Sequence, residues 1–228
     1  STISGYKYTG AVAGYNEGSV EDCQLGKKGI VSGNTDTGGL VGFSSQPLSS
    51  LRNMGSVKGS GMNTGGVVGS ISAPGTALRY CQNEGSVTGS ERTGGIAGSF
   101  TSSLDSESVI KECYNKGSVQ GGSYQAGGIA GYAGAGYYSA VTEDCSNSGE
   151  VTGAGTNGGI VGLLDKGKSS IVQCKNTGTV EGSSAGGIAG NNRGKIIDCY
   201  NAGTVIGDAD GGGIAAYQNE GEGEISKC

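Results

Sequence analysis

The sequence predicts an all-β fold, a right-handed parallel β-helix (β-solenoid) of about eight coils. Two short motifs that alternate along the whole chain support this prediction, and so does the composition. Hydrophobic residues make up 34% of the 228 residues, whereas 50 residues are glycine and only 2 are proline. A chain with so little apolar mass is expected to repeat a thin core along an axis rather than to build one large core.

The first motif is a glycine-rich pentapeptide of the form GGIAG. Its copies begin at Gly38, Gly65, Gly94, Gly127, Gly158 and Gly186, with degenerate copies at Gly10 and Gly212. Successive copies are about 29 residues apart, a period typical of solenoid repeats. We expect the glycine pairs to allow positive φ at corners and to let the backbone turn tightly around a narrow core.

The second motif, C-x-N-x-G-x-V-x-G, lies between successive copies of the first. It starts at Cys81, Cys113, Cys145, Cys174 and Cys199. Leu51 replaces the cysteine in one repeat, and after Cys23 a longer spacing places Val31 at the valine position. Each coil is therefore predicted to contribute four inward columns: the Ile or Val of GGIAG, an apolar residue three positions before the cysteine, the cysteine itself, and the valine six positions after it.

The segments between these motifs predict strands and turns. Short β-branched pieces alternate with Gly, Asn and Ser, and no segment has the apolar spacing of an amphipathic helix. Stacked coils would pair each strand in parallel with its equivalents, at ~4.8 Å per coil, and parallel crossovers are normally right-handed. We predict one solenoid domain over residues 1–228, a fragment of a larger protein because solenoid ends need caps.

The cysteines and asparagines are predicted to form two ladders. All seven cysteines share one column: Cys23, Cys81, Cys113, Cys145, Cys174, Cys199 and Cys228. We interpret them as buried, reduced thiols, although the ~4.8 Å coil spacing leaves disulfides open as an alternative. The asparagines two positions later are predicted to stack through their side-chain amides: Asn53, Asn83, Asn115, Asn147, Asn176 and Asn201.

The composition limits the possible chemistry. The chain has no histidine, which removes Ser-His-Asp and Cys-His catalysis and histidine metal sites, and no C-x-x-C pair offers a zinc site. We therefore predict no catalytic residue, no metal and no cofactor. The remaining candidate acids are interpreted as surface charge: Asp105, Glu107, Glu112, Glu143, Asp144, Asp208 and Asp210.

Charge and hydropathy also limit the partners. A net charge of −5 argues against nucleic acid, and no run approaches the ~18 apolar residues that span a bilayer. Ice binding needs a regular threonine array on one face. Thr9, Thr37, Thr64 and Thr93 align before the glycine pair, but Ala126 interrupts the column. We treat ice binding as a minor alternative.

Two long insertions mark the face on which a ligand is expected. Residues 99–112 and 132–144 lie between the two motifs in adjacent coils, and insertions of this kind commonly form the binding face of a solenoid. The predicted ligand-binding residues are Tyr132, Tyr137, Tyr138 and Phe100, because aromatic side chains stack on sugar rings or anchor protein partners. The alternative is a loop that folds its aromatics over the side of the solenoid.

The repeat resembles a known family. The run from Gly186 to Val205, GGIAGNNRGKIIDCYNAGTV, is similar to the GLUG repeat of bacterial surface proteins, in which a GGLVG-like start is followed by N-x-G-x-I-x-x-C/S-Y-x-x-G-x-V. The likeness covers nearly the whole chain, with departures at Leu51 and in the long insertions. It implies a secreted or cell-surface bacterial protein, such as an adhesin or an accessory region of an IgA-specific metallopeptidase, and it carries no catalytic residue.

These observations together predict a noncatalytic repeat module of a bacterial cell-surface or secreted protein. It would act as a stalk, an adhesive segment or a ligand-presenting segment. Its expected partners are a host protein, a glycan, or neighbouring domains of the same polypeptide. The alternative is a carbohydrate-active β-helix that binds or cleaves a polysaccharide with two carboxylates ~5–9.5 Å apart.

Overall fold

The computed structural model describes residues 1–102, 106–134, 138–219 and 223–228, and it forms a parallel β-solenoid of about seven turns. The predicted fold class is confirmed, and the predicted number of coils is close to the observed one. These residues include no helix, and hence none long and apolar enough to cross a membrane.

Short strands account for most of each coil. In chain order they are β1 (Thr2–Ser4), β2 (Lys7–Thr9), β3 (Ala13–Asn16), β4 (Val20–Glu21), β5 (Gln24–Leu25), β6 (Ile30–Gly33), β7 (Thr35–Gly38), β8 (Val41–Ser44), β9 (Leu48–Ser49), β10 (Arg52–Asn53), β11 (Ser56–Gly59), β12 (Thr64–Gly65), β13 (Val68–Ile71), β14 (Gly75–Arg79), β15 (Gln82–Asn83), β16 (Val87–Thr88), β17 (Arg92–Gly94), β18 (Ala97–Thr101), β19 (Ser108–Lys111), β20 (Tyr114–Asn115), β21 (Val119–Gln120), β22 (Gln125–Gly127), β23 (Ala130–Gly134), β24 (Ala140–Glu143), β25 (Ser146–Asn147), β26 (Val151–Thr152), β27 (Thr156–Gly158), β28 (Val161–Leu164), β29 (Ser170–Val172), β30 (Lys175–Asn176), β31 (Val180–Gly186), β32 (Ala189–Asn192), β33 (Lys195–Ile197), β34 (Tyr200–Asn201), β35 (Val205–Gly212), β36 (Ala215–Gln218) and β37 (Glu224–Ser226).

The strands stack into four parallel sheets. Sheet A consists of a strip that carries the valine column and a strip that carries the threonine column, joined through β31. Sheet B runs from β3 to β36, sheet C from β4 to β37, and sheet D from β5 to β34. Equivalent motif positions pair between coils, as in Val119 with Val151 and Asn115 with Asn147. The chain thus visits sheets A, B, C and D in every coil.

The predicted inward columns are buried in the middle of the rod. The GGIAG column is fully buried at Leu40, Val67, Ile96, Ile129, Ile160 and Ile188. One apolar column was not predicted: Ile71, Phe100, Ala133 and Leu164 also point inward from sheet B. In the later coils the valine column forms a separate small cluster with Ala126 and Ala185. The threonines Thr37, Thr64 and Thr93 are buried too, so they do not present the exposed array on which the ice-binding alternative depends.

The glycine pairs act through close packing and not through positive φ. Within the described ranges, positive φ among glycines occurs at Gly75 and Gly167, neither of which belongs to a GGIAG pair. A Cβ on Gly95 would collide with the carbonyl oxygen of Gly128 and with the side chain of Asn115. The prediction of positive φ was therefore wrong, whereas tight passage around the core accounts for these glycines.

The left-handed corner lies instead immediately before the cysteine column, between sheets C and D. In every coil a non-glycine residue there has φ between 50° and 55°: Asp22, Ser50, Tyr80, Glu112, Asp144, Gln173, Asp198 and Lys227. This conformation costs a residue with a Cβ roughly 1–2 kcal/mol. Its repetition shows that stacking of the coils on either side determines the corner.

Replacing Gln173 with glycine should therefore stabilise the protein. Glycine removes the strain of the left-handed conformation, but it loses more backbone entropy on folding than glutamine does. The net result is an increase of about 0.5–1 kcal/mol in the free energy of unfolding. Gln120→Gly is the matched control, because this equally exposed glutamine lies in β21 at ordinary φ and its replacement should destabilise. Urea denaturation of both variants checks the signs. Loss of stability in Gln173→Gly would show that the corner is not strained.

The asparagine ladder is confirmed. The Nδ2 of each asparagine donates to the Oδ1 of the next coil over 2.7–2.9 Å, from Asn53 through to Asn201. The same Nδ2 also donates to the carbonyl oxygen of the glycine two positions later, as Asn115 does to Gly117 at 2.9 Å. Burial of the ladder is possible because these amides satisfy one another.

The cysteine column is a ladder of free thiols, five of which are buried, while Cys23 is half-buried and Cys228 exposed. Each thiol donates to the carbonyl oxygen two residues earlier, for example Cys145 to Glu143 at 3.1 Å. Burial raises the pKa of the Cys113 and Cys174 thiols. The column therefore packs as small apolar side chains, as predicted.

Candidate binding surface

The described parts of the two long insertions lie side by side, as predicted. The first leads from β18 to β19 and the second from β23 to β24, and these strands pair directly in sheets B and C. Residues 103–105 and 135–137 lie outside the described part of the chain. The predicted ligand residue Tyr137 and the candidate acid Asp105 are among these residues.

The structure separates the remaining predicted ligand residues. Phe100 is 0% exposed, because alternation along β18 turns it inward onto the column of Ile71 and Ala133. It is a core residue and does not belong to the predicted surface. Tyr132 is half-buried on the outer side of β23 in sheet B, and Tyr138, 41% exposed, lies just before β24 in sheet C.

A connected group of side chains surrounds Tyr132, and we call Arg92, Tyr132, Asp165 and Arg193 the Tyr132 cluster. The guanidinium carbon of Arg92 lies 4.3 Å from the centroid of the Tyr132 ring. The Tyr132 hydroxyl donates to Oδ2 of Asp165 at 2.8 Å, and Nη1 of Arg193 lies 3.7 Å from Oδ1 of Asp165. Four successive coils each contribute one member.

The repeat register explains how these side chains meet. Tyr132 lies on an outward column of sheet B, in register with Ser99 and Leu163. Asp165 immediately follows β28, and Arg193 immediately follows β32, so the ends of successive sheet B strands bring them to the same edge. Arg92 opens β17 one coil earlier and reaches the ring from the adjoining corner. The positions are thus determined by rigid, hydrogen-bonded strands.

Burial and hydrogen bonding shape the electrostatics of the cluster. Burial, followed by the hydrogen bond to Asp165, raises the pKa of Tyr132 to about 12. Arg193 Nε and Asn191 Oδ1, on the same strand end, are buried and have no hydrogen-bond partner among the residues described. The cluster therefore combines a neutral phenol, a carboxylate held by hydrogen bonding, and two guanidinium groups.

Tyr132 should give the protein a dependence on alkaline pH. Its pKa rises from an ordinary 10.0 to about 12 on folding, so the folded state holds the proton more tightly. The resulting stability is fully present below pH 10 and is lost as the pH rises through about 12. Ultraviolet titration of tyrosinate should show a late-ionising group that is absent in Tyr132→Phe. An unchanged titration curve in that variant would contradict the assignment.

Three of the candidate acids are paired with basic side chains. Oε2 of Glu112 accepts from Nε of Arg79 at 2.8 Å, and Nζ of Lys111 lies 3.2 Å from Glu143 and 3.4 Å from Asp144. The Arg79 hydrogen bond lowers the pKa of Glu112, whereas a general acid needs a raised pKa.

The other acids have different surroundings. Glu107 accepts from the Ser139 hydroxyl, Asp210 accepts from the Tyr217 hydroxyl at 2.6 Å, and Asp208 is exposed. Within the described ranges, no group of three or more Cys, Asp or Glu is placed to hold a metal ion.

Sequence reasoning missed Arg92, Asp165 and Arg193. Each belongs to a different repeat, and each repeat read alone shows only an ordinary surface charge. Aligning the repeats on GGIAG places Asp165 and Arg193 at the same position, three residues after the motif, in successive coils. That alignment was the available signal. The contact of Arg92 with the Tyr132 ring has no counterpart in the motif.

Comparison of the chain with protein-family models, with curated proteins and with solved structures yields no match.

Proposed function

We propose that this chain is a noncatalytic repeat module of a bacterial secreted or cell-surface protein, and that it presents the Tyr132 cluster to a host protein or glycan. The observation that carries the proposal is the cluster itself. One side chain from each of four successive coils joins a continuous contact chain on the outer edge of sheet B. A purely mechanical stalk does not require such a connected polar group.

The chemistry of the cluster suits recognition. Tyrosine and arginine are the side chains that most often carry binding energy at interfaces. The Tyr132 ring is held by Arg92 over its face and by Asp165 at its hydroxyl, so little side-chain entropy remains to be lost on binding.

The location rests on the sequence motif. The similarity of GGIAGNNRGKIIDCYNAGTV to GLUG repeats supports a secreted or surface protein of bacteria. Within such a protein the rod would extend the chain from its neighbouring domains and carry the cluster on its side. The carbohydrate-cleaving alternative has weaker support, because Glu112 is ion-paired with Arg79, and Glu143 and Asp144 with Lys111.

Binding to an array of glycans and host extracellular proteins tests the proposal. Tyr132→Ala and Arg92→Ala should each lower the affinity for the recognised ligand by about tenfold or more, as expected for interface anchors. Tyr200→Ala is the matched control, because this tyrosine, which lies 5.7 Å from the Lys175 ammonium, belongs to sheet D. That variant should bind within about twofold of the parent.

Two outcomes would contradict the proposal. Equal affinities of Tyr132→Ala and Tyr200→Ala for the ligand would show that the Tyr132 cluster is not the binding site. Loss of binding only when Glu112 or Glu143 is neutralised would favour the carboxylate alternative. Tyr138→Ala extends the experiment to the other predicted residue with a described position, since its exposed ring lies in the same insertion as Tyr132.

A further inference from the structure

A shallow groove of about 330 Å³ lies at the bend between the two strips of sheet A. Its lining comes from the first three coils and includes Ser4, Tyr6, Ser32, Asn34 and Ser60. These residues follow or end β1, β6 and β11, whereas the Tyr132 cluster lies at the edge of sheet B. The groove is therefore a separate feature of the surface.

The backbone of the groove is fixed by pairing between coils. The amide of Thr35 donates to the carbonyl oxygen of Tyr6 at 2.9 Å, and the amide of Ser60 donates to that of Gly33 at 3.0 Å. Three stacked coils span ~10 Å from the first to the third. The groove is thus a preformed concavity and needs no ordering before it binds.

The Tyr6 ring is open to solvent. Its side chain is 78% exposed and makes none of the hydrogen bonds, ring contacts or cation contacts found among the described residues. Its neighbours differ, because Tyr8 packs against Tyr15 and Phe43 and has the Lys7 ammonium 4.5 Å from its ring centroid. Tyr6 therefore offers a free aromatic face beside the groove.

The polar groups of the groove are neutral and partly held in place. Nδ2 of Asn34 donates to Oγ of Ser60 at 3.0 Å, and its Oδ1 accepts from Oγ1 of Thr35 at 3.1 Å. The second Nδ2 hydrogen of Asn34 remains for a ligand, as do the hydroxyls of Ser4 and Ser32, for which the described residues supply no partner. Among the described residues, none of the side chains that line the groove is charged.

We propose that this groove binds a neutral saccharide of about disaccharide length. The apolar face of a sugar ring would stack on Tyr6, and sugar hydroxyls would exchange hydrogen bonds with Asn34, Ser32 and Ser4. The absence of a lining cation gives no counter-charge for a phosphate, a sulfate or an acidic sugar. This proposal is independent of the one for the Tyr132 cluster, because the two sites share no residue.

Titration followed by NMR tests the groove with defined probes: cellohexaose, maltohexaose, xylohexaose and chitohexaose, with a galacturonic acid hexamer for comparison. At least one neutral probe should shift the amides of Tyr6, Asn34 and Ser60. Tyr6→Ala should lower the affinity for that probe by about tenfold or more. Tyr124→Ala is the matched control, since Tyr124 is 57% exposed near the same bend, four coils on, but does not line the groove.

The control variant should bind within about twofold of the parent, and so should Tyr132→Ala. The proposal is overturned if no neutral probe shifts these amides at a saccharide concentration of about 10 mM, since the dissociation constant would then lie far above that concentration. It is also overturned if Tyr6→Ala binds like Tyr124→Ala, or if only the galacturonic acid hexamer binds. Loss of binding in Tyr132→Ala alone would move saccharide recognition to the Tyr132 cluster.

Discussion

Ile129→Asp is expected to unfold the middle of the rod. Ile129 is 0% exposed and lies between Ile96 and Ile160, to which its backbone is hydrogen-bonded over 3.0 and 2.9 Å. A buried charge without a partner costs about 3–5 kcal/mol in an apolar core. This is a large part of the roughly 5–15 kcal/mol that stabilises a typical domain. Urea denaturation followed by circular dichroism should show a much lower midpoint or no folded baseline.

Gln120→Asp is the matched control for this change. Gln120 belongs to the same coil but points to solvent from β21, so its replacement should alter stability by no more than about 0.5 kcal/mol. Equal losses at Ile129 and Gln120 would mean that the inward and outward columns have been assigned incorrectly.

Asn115→Ala should have the next largest effect. It removes the acceptor of Asn83 Nδ2, the donor to Asn147 Oδ1 and the donor to the carbonyl oxygen of Gly117. Each buried polar group left without a partner costs about 1–3 kcal/mol, so a loss of roughly 3–5 kcal/mol in the free energy of unfolding is expected. Chemical denaturation of the purified variant measures it.

Lys116→Ala serves as the control for the ladder variant. Lys116 is the exposed neighbour of Asn115, and its truncation should change stability by about 0.5 kcal/mol or less. A loss below about 1 kcal/mol for Asn115→Ala would show that water replaces the amide contacts, and the ladder would then not be a major source of stability.

Periodic features were predictable from the sequence, because the same residue type recurs at the same position of each coil. The burial of Ile129 and the stacking of Asn115 follow directly from motif register. The left-handed conformation of Gln173 was not predictable, since the eight residues at this corner share it without sharing a chemical type. There the stacked strands of sheets C and D impose the backbone angle on whatever residue is present.

The candidate surface was predicted only in part. The pairing of the two insertions and the outward position of Tyr132 follow from the repeat pattern. Phe100 was misplaced because an aromatic residue at the start of an insertion reads as loop, whereas β18 continues through Thr101 and turns the ring inward. The contact between Arg92 and Tyr132 depends on side-chain reach between coils, which motif spacing does not specify.

Hydrogen exchange of the asparagine side chains tests most directly the claim that successive repeats stack in motif register. Both Nδ2 protons of Asn115 are hydrogen-bonded inside the rod, to Asn147 and to Gly117, and Asn83 and Asn147 are bonded in the same way. We predict that these protons exchange only through global unfolding, as slowly as the backbone amide of Ile129. Exchange as fast as that of the exposed Gln120 side chain would contradict the stacked register.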